Sequence, residues 1–597
     1  MEQSESIYNL LKRLWHHISA RRRVQFMLLL VLMMLTSFAE IFSLGAVLPF
    51  LGVLTSPDTV YNQPFLQPLF SFFGIAAPEE LLLPVTVAFM LAALLAGGMR
   101  LFQLWANTRL SFAIGADLSI NLYRRTLCQP YSVHVGRNSS EIINAVATKV
   151  NAVITYVIVP FATLISSSII MVAIMVTLIV VNPVIAFSAF GGFGLTYAVI
   201  IGLTRKRLKL NSQKIAQESN QVVKSLQEGL GGIRDVLIDG NQAVYAAEYS
   251  RAIQPLRRAQ GNNVFMNQSP RFGVEAIGMV LIALLAYGLS QQSGGVTKAI
   301  PVLGTLALGA QRLLPVLQQV YASWSQIQGQ NASFRDVLAL LEQPLPKQTK
   351  AENQNGFSFT RQIELTRLSF RYTSETAFVL RNLDLDIEKG SRIGFIGATG
   401  SGKSTLLDII MGLLEPTEGN VCVDGQPVTE ENRSAWQQHI AHVPQAIFLS
   451  DATVEENIAF GVPKEKINPE RVKMAAQQAQ MSNLIESWPQ KYQTFVGERG
   501  VRLSGGQRQR IGIARALYKQ ADVIIFDEAT SALDNKTEAA VMQAIKELHE
   551  DLTVLIIAHR LTTLRNCTKI VKLADGRIKQ TGTYEEIISK TDEPVHA

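Results

Sequence analysis

The feature that most constrains this chain is a set of six apolar runs, beginning near Val24, Leu82, Ile154, Val184, Phe272 and Ile300. Each is long enough to cross about 30 Å of hydrocarbon, which predicts six spanning helices. They occupy only the first part of a chain of 597 residues, itself too long for a single hydrophobic core. Charge divides the chain in the same way: residues 1–345 carry 25 Lys+Arg against 16 Asp+Glu, and residues 346–597 carry 30 against 32. The basic excess lies between apolar runs, where orientation in an anionic-lipid membrane accounts for it without nucleic acid as a partner. Lys and Arg are absent from 55–80 and from the Asn182-Pro183 turn, and 290–298 holds only Lys298, so these read as the outside connections. The basic connections, with Arg21 to Arg23, then Arg124, Arg125, Arg137 and Lys149, then Arg205 to Lys209 and Arg257-Arg258, read as cytosolic, together with both termini.

Residues 5–20 place Ile7, Leu10, Leu11, Leu14 and Ile18 on one helical face, the pattern of a helix lying along a membrane surface. The apolar run after it is too long for the core of a cleavable signal. The cytosolic connections keep a helical pattern, so the spanning helices are expected to continue past the membrane and to reverse at 129–141 and 227–239. The polar stretch KQTKAENQNG separates them from alternating strand and helix signals of α/β type. The expected division is a surface helix at 1–23, six membrane helices at 24–340, a linker at 341–357 and an α/β domain at 358–597. Cys128, Cys422 and Cys567 stand far apart, with neither pairing arithmetic nor metal-ligand spacing.

Chemistry enters at GATGSGKS, which follows the strand-like run SRIGFI and precedes the helix-like run TLLDIIMGLL. That context is what a phosphate-binding loop requires. Glycines let backbone N–H groups approach phosphate oxygens, a helix N-terminus adds its dipole, Lys403 reaches the β- and γ-phosphates, and Ser404 ligates Mg²⁺. The apolar strand VIIF ends in Asp527-Glu528, carboxylates suited to hold Mg²⁺ and to polarise the attacking water. Either carboxylate alone would be an ordinary strand end; beside a phosphate loop that reading is weak.

LSGGQ, Leu503 to Gln507, about a hundred residues further on, resembles the signature of the ABC ATPases. The whole chain resembles an ABC exporter half-transporter of type IV fold. The resemblance implies a membrane α-helical domain of six helices, domain-swapped in the exporter manner, joined to an α/β P-loop ABC nucleotide-binding domain. It implies that Tyr372 stacks on adenine and that Gly397, Ala398, Thr399, Gly400, Ser401, Gly402, Lys403, Ser404 and Thr405 hold the phosphates of ATP. Ser404, Gln445 and Asp527 would serve Mg²⁺, while Glu528, His559 and Gln445 would serve hydrolysis. SALD (Ser531 to Asp534) would line a dimer interface, and GERG (Gly497 to Gly500) would touch the membrane domain. In that family Ser504, Gly505, Gly506 and Gln507 of one copy close the ATP site of the other. A half-size chain is therefore expected as a homodimer with two competent sites.

The cargo must be read from the membrane part, where Glu40, Arg100, Arg271, Glu275 and Arg312 interrupt or border apolar helices. Taken singly, each is as well explained by snorkelling or interhelical pairing as by function. Together, converging arginines suit a phosphate-bearing substrate. FAEIFSLGAVLPFL, SPRFGVEAIG and GAQRLLPVLQQV look like segments of bacterial lipid-linked oligosaccharide flippases, and Arg100, Arg271 and Arg312 occupy the positions of their cavity arginines. The resemblance implies a lipid-linked glycan as cargo, membrane lipid as partner and the bacterial inner membrane as location. It also offers Gln63 to Gly74 as an external helix for the lipid tail, against an ordinary outer loop. Exporters of drugs, simple lipids or peptides share parts of these segments. A nucleotide-gated channel or regulator is the reading from another class, and intact Glu528 and His559 argue against it.

Overall fold

The structure is a computed structural model that describes residues 5–46, 50, 53–54, 58, 61, 77–181, 183–290, 295–345, 357–529, 534–546, 551–558 and 561–588. The chain divides into two compact units. One comprises Met1–Cys128 and Arg137–Pro344, the other Gln129–Gly136 and Leu345–Ala597.

In the first unit, α1 (Ile7–His17) buries Leu10 and Leu14. Six longer helices follow among the described residues: α2 (Ala20–Gly45), α3 (Leu82–Leu127), α5 (Val159–Val181), α6 (Pro183–Gly231), α8 (Gln242–Ser290) and α9 (Gly295–Gly329). Among the described residues, Ala20–Ser43, Leu82–Leu127 and Ser139–Thr177 are long and apolar enough to cross a membrane. The other three runs include positions outside the described residues. At about 1.5 Å per residue, the 49 residues of α8 reach roughly 70 Å, more than twice the hydrocarbon thickness. The chain reverses at two short helices, α4 (Tyr131–Val135), which groups with the second unit, and α7 (Ile233–Ile238). The segment Gln63 to Gly74 lies outside the described residues.

Helical residues Ser139–Asn144 lead into α5 through two π-helical turns, Ala145–Lys149 and Ile154–Ile158. The second of these packs where α3 carries Gly115, and a Cβ there would run into the Ile154 side chain. A glycine thus lets the two helices approach closely, the usual device where packing without a hydrophobic gradient must hold helices together. Elsewhere α2 packs on α3, α5 on α9, and α6 on α8. The first unit closes with α10 (Asn331–Leu341), which buries Phe334, Val337, Leu338 and Leu341.

The second unit holds two sheets. A four-stranded antiparallel sheet runs in the order β2-β1-β4-β5, from β1 (Gln362–Phe370), β2 (Leu380–Glu388), β4 (Glu418–Val423) and β5 (Gln426–Pro427). A six-stranded sheet runs β10-β9-β3-β8-β7-β6, with β3 (Arg392–Ile396), β6 (Ile440–Val443), β7 (Val523–Asp527), β8 (Thr553–Ile557), β9 (Lys569–Ala574) and β10 (Arg577–Gly582). Its five strands from β9 to β6 are parallel. Alternate residues of β7 enter different cores: Ile524 and Phe526 pack with Ile511 and Ile513, Val523 and Ile525 with Leu406 and Ile410. Burial on both faces is why this strand reads as an unbroken apolar run. It also fixes the carboxyl end of β7 beside the carboxyl end of β3, with β8 between them, the edge at which open α/β sheets bind ligands.

Candidate functional site

The loop after β3 runs from Gly397 to Gly402 into α11 (Lys403–Ile410). Gly400 and Gly402 have φ of 84° and 97°, a left-handed backbone that side chains with a Cβ rarely adopt. This curls the loop so that backbone N–H groups turn inward at the start of a helix, a nest for phosphate. Lys403, buried at that start, donates to the carbonyls of its own loop, Gly397 O at 2.8 Å and Ala398 O at 3.0 Å. Burial lowers its pKa, opposed by the carboxylates of Glu528 and Asp527.

Across the sheet, Asp527 ends β7 and accepts from Ser404 Oγ at 3.4 Å. Burial pushes its carboxyl above the usual range, and the Ser404 hydroxyl opposes that shift. Glu528 follows with φ of 51°, a left-handed conformation uncommon for such a residue, and its N–H donates to Ile557 O on β8 at 3.0 Å. Its carboxylate accepts from Gln445 Nε2 at 2.6 Å. Tyr372, half-exposed, places its hydroxyl 3.2 Å from Thr405 Oγ1 and its ring edge-on to Phe370 at 5.0 Å. Lys403, Ser404, Gln445, Asp527 and Glu528 are thereby brought into one cluster, and Tyr372 is joined to α11 beside it. His559 and Ser531 to Leu533 lie outside the described residues.

Ser504 to Gln507 form a separate structure. Ser504 caps α12 (Gly505–Lys519): its Oγ accepts from Gln507 N at 3.3 Å, while Gln507 Oε1 accepts from Ser504 N at 2.9 Å. Among the described residues no hydrogen bond joins this box to the phosphate loop. Arg508, one turn on, donates to Leu503 O at 2.8 Å and to Gly500 O at 3.4 Å, so the signature and the GERG segment are tied together. Asp408 was not foreseen. It stands four residues after Ser404 on α11, and burial, with the negative charge of Asp527, pushes its carboxyl up to about 6. The i, i+4 spacing from Ser404 was the available signal.

In the membrane unit, Arg100 pairs with Glu40, the guanidinium side chain 53% exposed and the carboxylate 4%. Arg271 Nε lies 2.9 Å from Glu275 Oε1, with the arginine side chain 63% exposed. The backbone of Arg312 is on α9; its side chain lies outside the described residues.

Comparison with known proteins agrees with this geometry. The profile of ABC transporters matches residues 380–531, and that of the ABC transporter transmembrane region matches residues 25–298. An ATP-dependent lipid A-core flippase of Alkalilimnicola ehrlichii is 31% identical over 66% of this chain and 67% of its own length. One of Chromohalobacter salexigens is 32% identical over the same shares. The heterocyst differentiation ATP-binding protein HepA of Nostoc sp. is 29% identical over 92% of this chain and 89% of its own. In fold, the chain is similar to a bacterial Atm1-family ABC exporter solved with ATP bound, with a TM-score of 0.76 at 22% identity, covering 97% of this chain and 99% of that one.

Proposed function

This chain belongs to the ABC transporters, as an ATP-binding, ATP-hydrolysing membrane exporter, and on that premise we propose that two copies of it flip a lipid-linked oligosaccharide across a bacterial inner membrane. The observation that carries the cargo is the pair of arginines, Arg100 and Arg271, each more than half exposed on a membrane helix and each steadied by a carboxylate. An exposed guanidinium facing lipid tails is costly, so such groups belong on a water-filled route, where they bind phosphate. Arg312 joins them by its position on α9. Lipid A-core flippases among the relatives move a large glycolipid, which supports a cargo of this kind.

In the engine, the nest of Gly397 to Gly402 takes the phosphates, with Thr405 on the same helix. Lys403 exchanges its own loop carbonyls for β- and γ-phosphate oxygens, and Tyr372 lies against adenine. Ser404 Oγ and the Asp527 carboxylate, 3.4 Å apart, are hard oxygen donors on one side of the phosphate nest, a set that fits Mg²⁺, which takes few protein ligands beside phosphate. When bound, Mg²⁺ neutralises charge on the β- and γ-phosphates. Glu528 polarises the attacking water. Gln445, bonded to it, is the third candidate beside the metal and reports the γ-phosphate. Phosphoryl transfer here is positioning and electrostatics more than covalent work by the protein. Because the capped start of α12 forms no bond to its own phosphate loop, the proposed dimer supplies Ser504 to Gln507 across the interface. The nucleotide-binding unit and both termini then face the cytosol, as the Lys and Arg distribution requires.

ATP-dependent flipping of a fluorescent polyprenyl-pyrophosphate oligosaccharide in proteoliposomes tests the proposal, with Glu528→Gln as control. Wild type is expected to flip it. Glu528→Gln is expected to bind ATP while turnover falls by about 10²–10⁴-fold, the usual contribution of a general base. Brisk ATPase without flipping would overturn the cargo and favour drugs, simple lipids or peptides. Normal hydrolysis by Glu528→Gln would overturn the assignment of the base.

A further inference from the structure

Inside the membrane unit, α3, α5 and α9 enclose a cavity of about 360 Å³. Its volume falls in the ~300–1,000 Å³ range of small-molecule sites. Each helix contributes a polar stripe at helical spacing: Gln103 and Asn107 on α3, one and two turns beyond Arg100; Ser166 and Ser167 on α5; Gln311 and Gln319 on α9. The stretches of α3 and α5 that carry them are among those apolar enough to cross a membrane. Amides and hydroxyls in such helices are costly unless hydrogen-bonded. Here they are bonded in part. Ser167 Oγ donates to Gln319 Oε1 at 3.1 Å, and Gln103 Nε2 donates to Ser166 Oγ. Gln103 Oε1, shielded from solvent, has no hydrogen-bond partner among the described residues. A glutamine amide offers two donors and two lone pairs, so these side chains retain capacity for more bonds.

The chemistry of the lining is divided. Arg100 is its one formal charge and is already held by Glu40, while the six other polar side chains are neutral amides and hydroxyls. Such groups match a partner that both donates and accepts at many points, which is a sugar ring. A bare phosphate would call for more cations. We propose that this chamber is a docking subsite for the sugar nearest the phosphate of the cargo, with Gln103 and Gln319 as its specificity-determining residues. The inference rests on the oligosaccharide reading above and adds that the protein recognises the glycan, in addition to the lipid phosphate.

The experiment compares two lipids in proteoliposomes, a polyprenyl-pyrophosphate oligosaccharide and the same polyprenyl pyrophosphate without sugar. It uses wild type, the double variant Gln103→Leu/Gln319→Leu, and Ser167→Ala, which removes a donor with little change of volume. Size-exclusion profile and thermal midpoint check folding, and Ser167→Ala carries the test if the double variant fails to fold. Losing two hydrogen bonds to the sugar is expected to raise the half-saturating concentration of the glycan-bearing lipid about tenfold, and Ser167→Ala to raise it by a few-fold. Half-saturation by the sugar-free lipid is expected to stay within about twofold. An equal loss with both lipids, or no loss with either, would overturn the subsite and leave the cargo reading standing. Wild type that flips neither lipid would overturn the cargo reading, and the subsite with it.

Discussion

Asp424, at the turn between β4 and β5, accepts four hydrogen bonds: from Thr360 N and Oγ1 at 2.6 and 2.7 Å, from Arg361 N at 2.8 Å and from Gln362 N at 2.9 Å. Burial would push its carboxyl up, but these donors outweigh it and hold the pKa near 2. Because the folded value lies below the ordinary one near 3.8, the stabilisation is complete above that value and is lost as pH falls towards 2. Asp424→Ala should cost about 1.5–3 kcal/mol, the worth of hydrogen bonds to a charged group. Hydrogen exchange of the Thr360 to Gln362 amides at pH 7 should quicken accordingly, and unchanged protection would show that the clamp carries no stability. No sequence signal marked this residue, since its donors lie more than sixty positions away. Glu528 teaches the same lesson. Its type and place after an apolar strand were legible, whereas its left-handed backbone and its bond to Gln445 depend on where β8 and a distant loop happen to lie.

Among the secondary-structure elements, two helices of the second unit begin with the same device. Ser504 with Gln507 opens α12, and Thr453 with Glu456 opens the helix Val454–Ile458. Both fit the pattern of Ser or Thr followed three residues later by Glu or Gln, so both were readable from sequence, but only one lies in the signature. Thr453→Ala should lower stability by about 1 kcal/mol and leave kcat for ATP unchanged. Ser504→Ala should cost a similar amount and depress kcat as well. A fall in kcat for Thr453→Ala comparable to that for Ser504→Ala would mean that capping alone explains the signature serine. The long helices were legible from apolar runs and from the helical pattern of their basic extensions. Their bends were less so: Pro255 and Pro270 sit inside α8, where a proline would normally end a helix.

For the whole molecule, the strongest expectation concerns assembly. If both ATP sites need a signature from a second copy, hydrolysis per chain in detergent should fall on dilution in step with the dimer fraction measured by light scattering. Hydrolysis independent of dimer content would refute the composite site. Within the membrane unit, α1 is tied to the end of α10 by Arg13, whose Nε and Nη2 lie 2.8 and 2.5 Å from the Glu342 carboxylate. The surface helix is thereby fastened just before the polar linker, a link that hydropathy could not disclose because the two residues are 329 positions apart. Arg13→Glu should lower the thermal midpoint of the protein, and adding Glu342→Arg should restore most of it, with a coupling of at most about 1 kcal/mol for so exposed a pair.

The two π-helical turns ahead of α5 have one more consequence. Each turn holds one residue beyond what an α-helix would use, so deleting a single residue there lets the helix tighten and rotates everything downstream by about 100°. Ser166 and Ser167 would swing off the wall they share with α3 and α9. In a lineage of such genes, substitutions in the chamber would shade its preference by degrees. The loss of one codon between Ala145 and Ile158 would exchange one lining for another in a single inherited step.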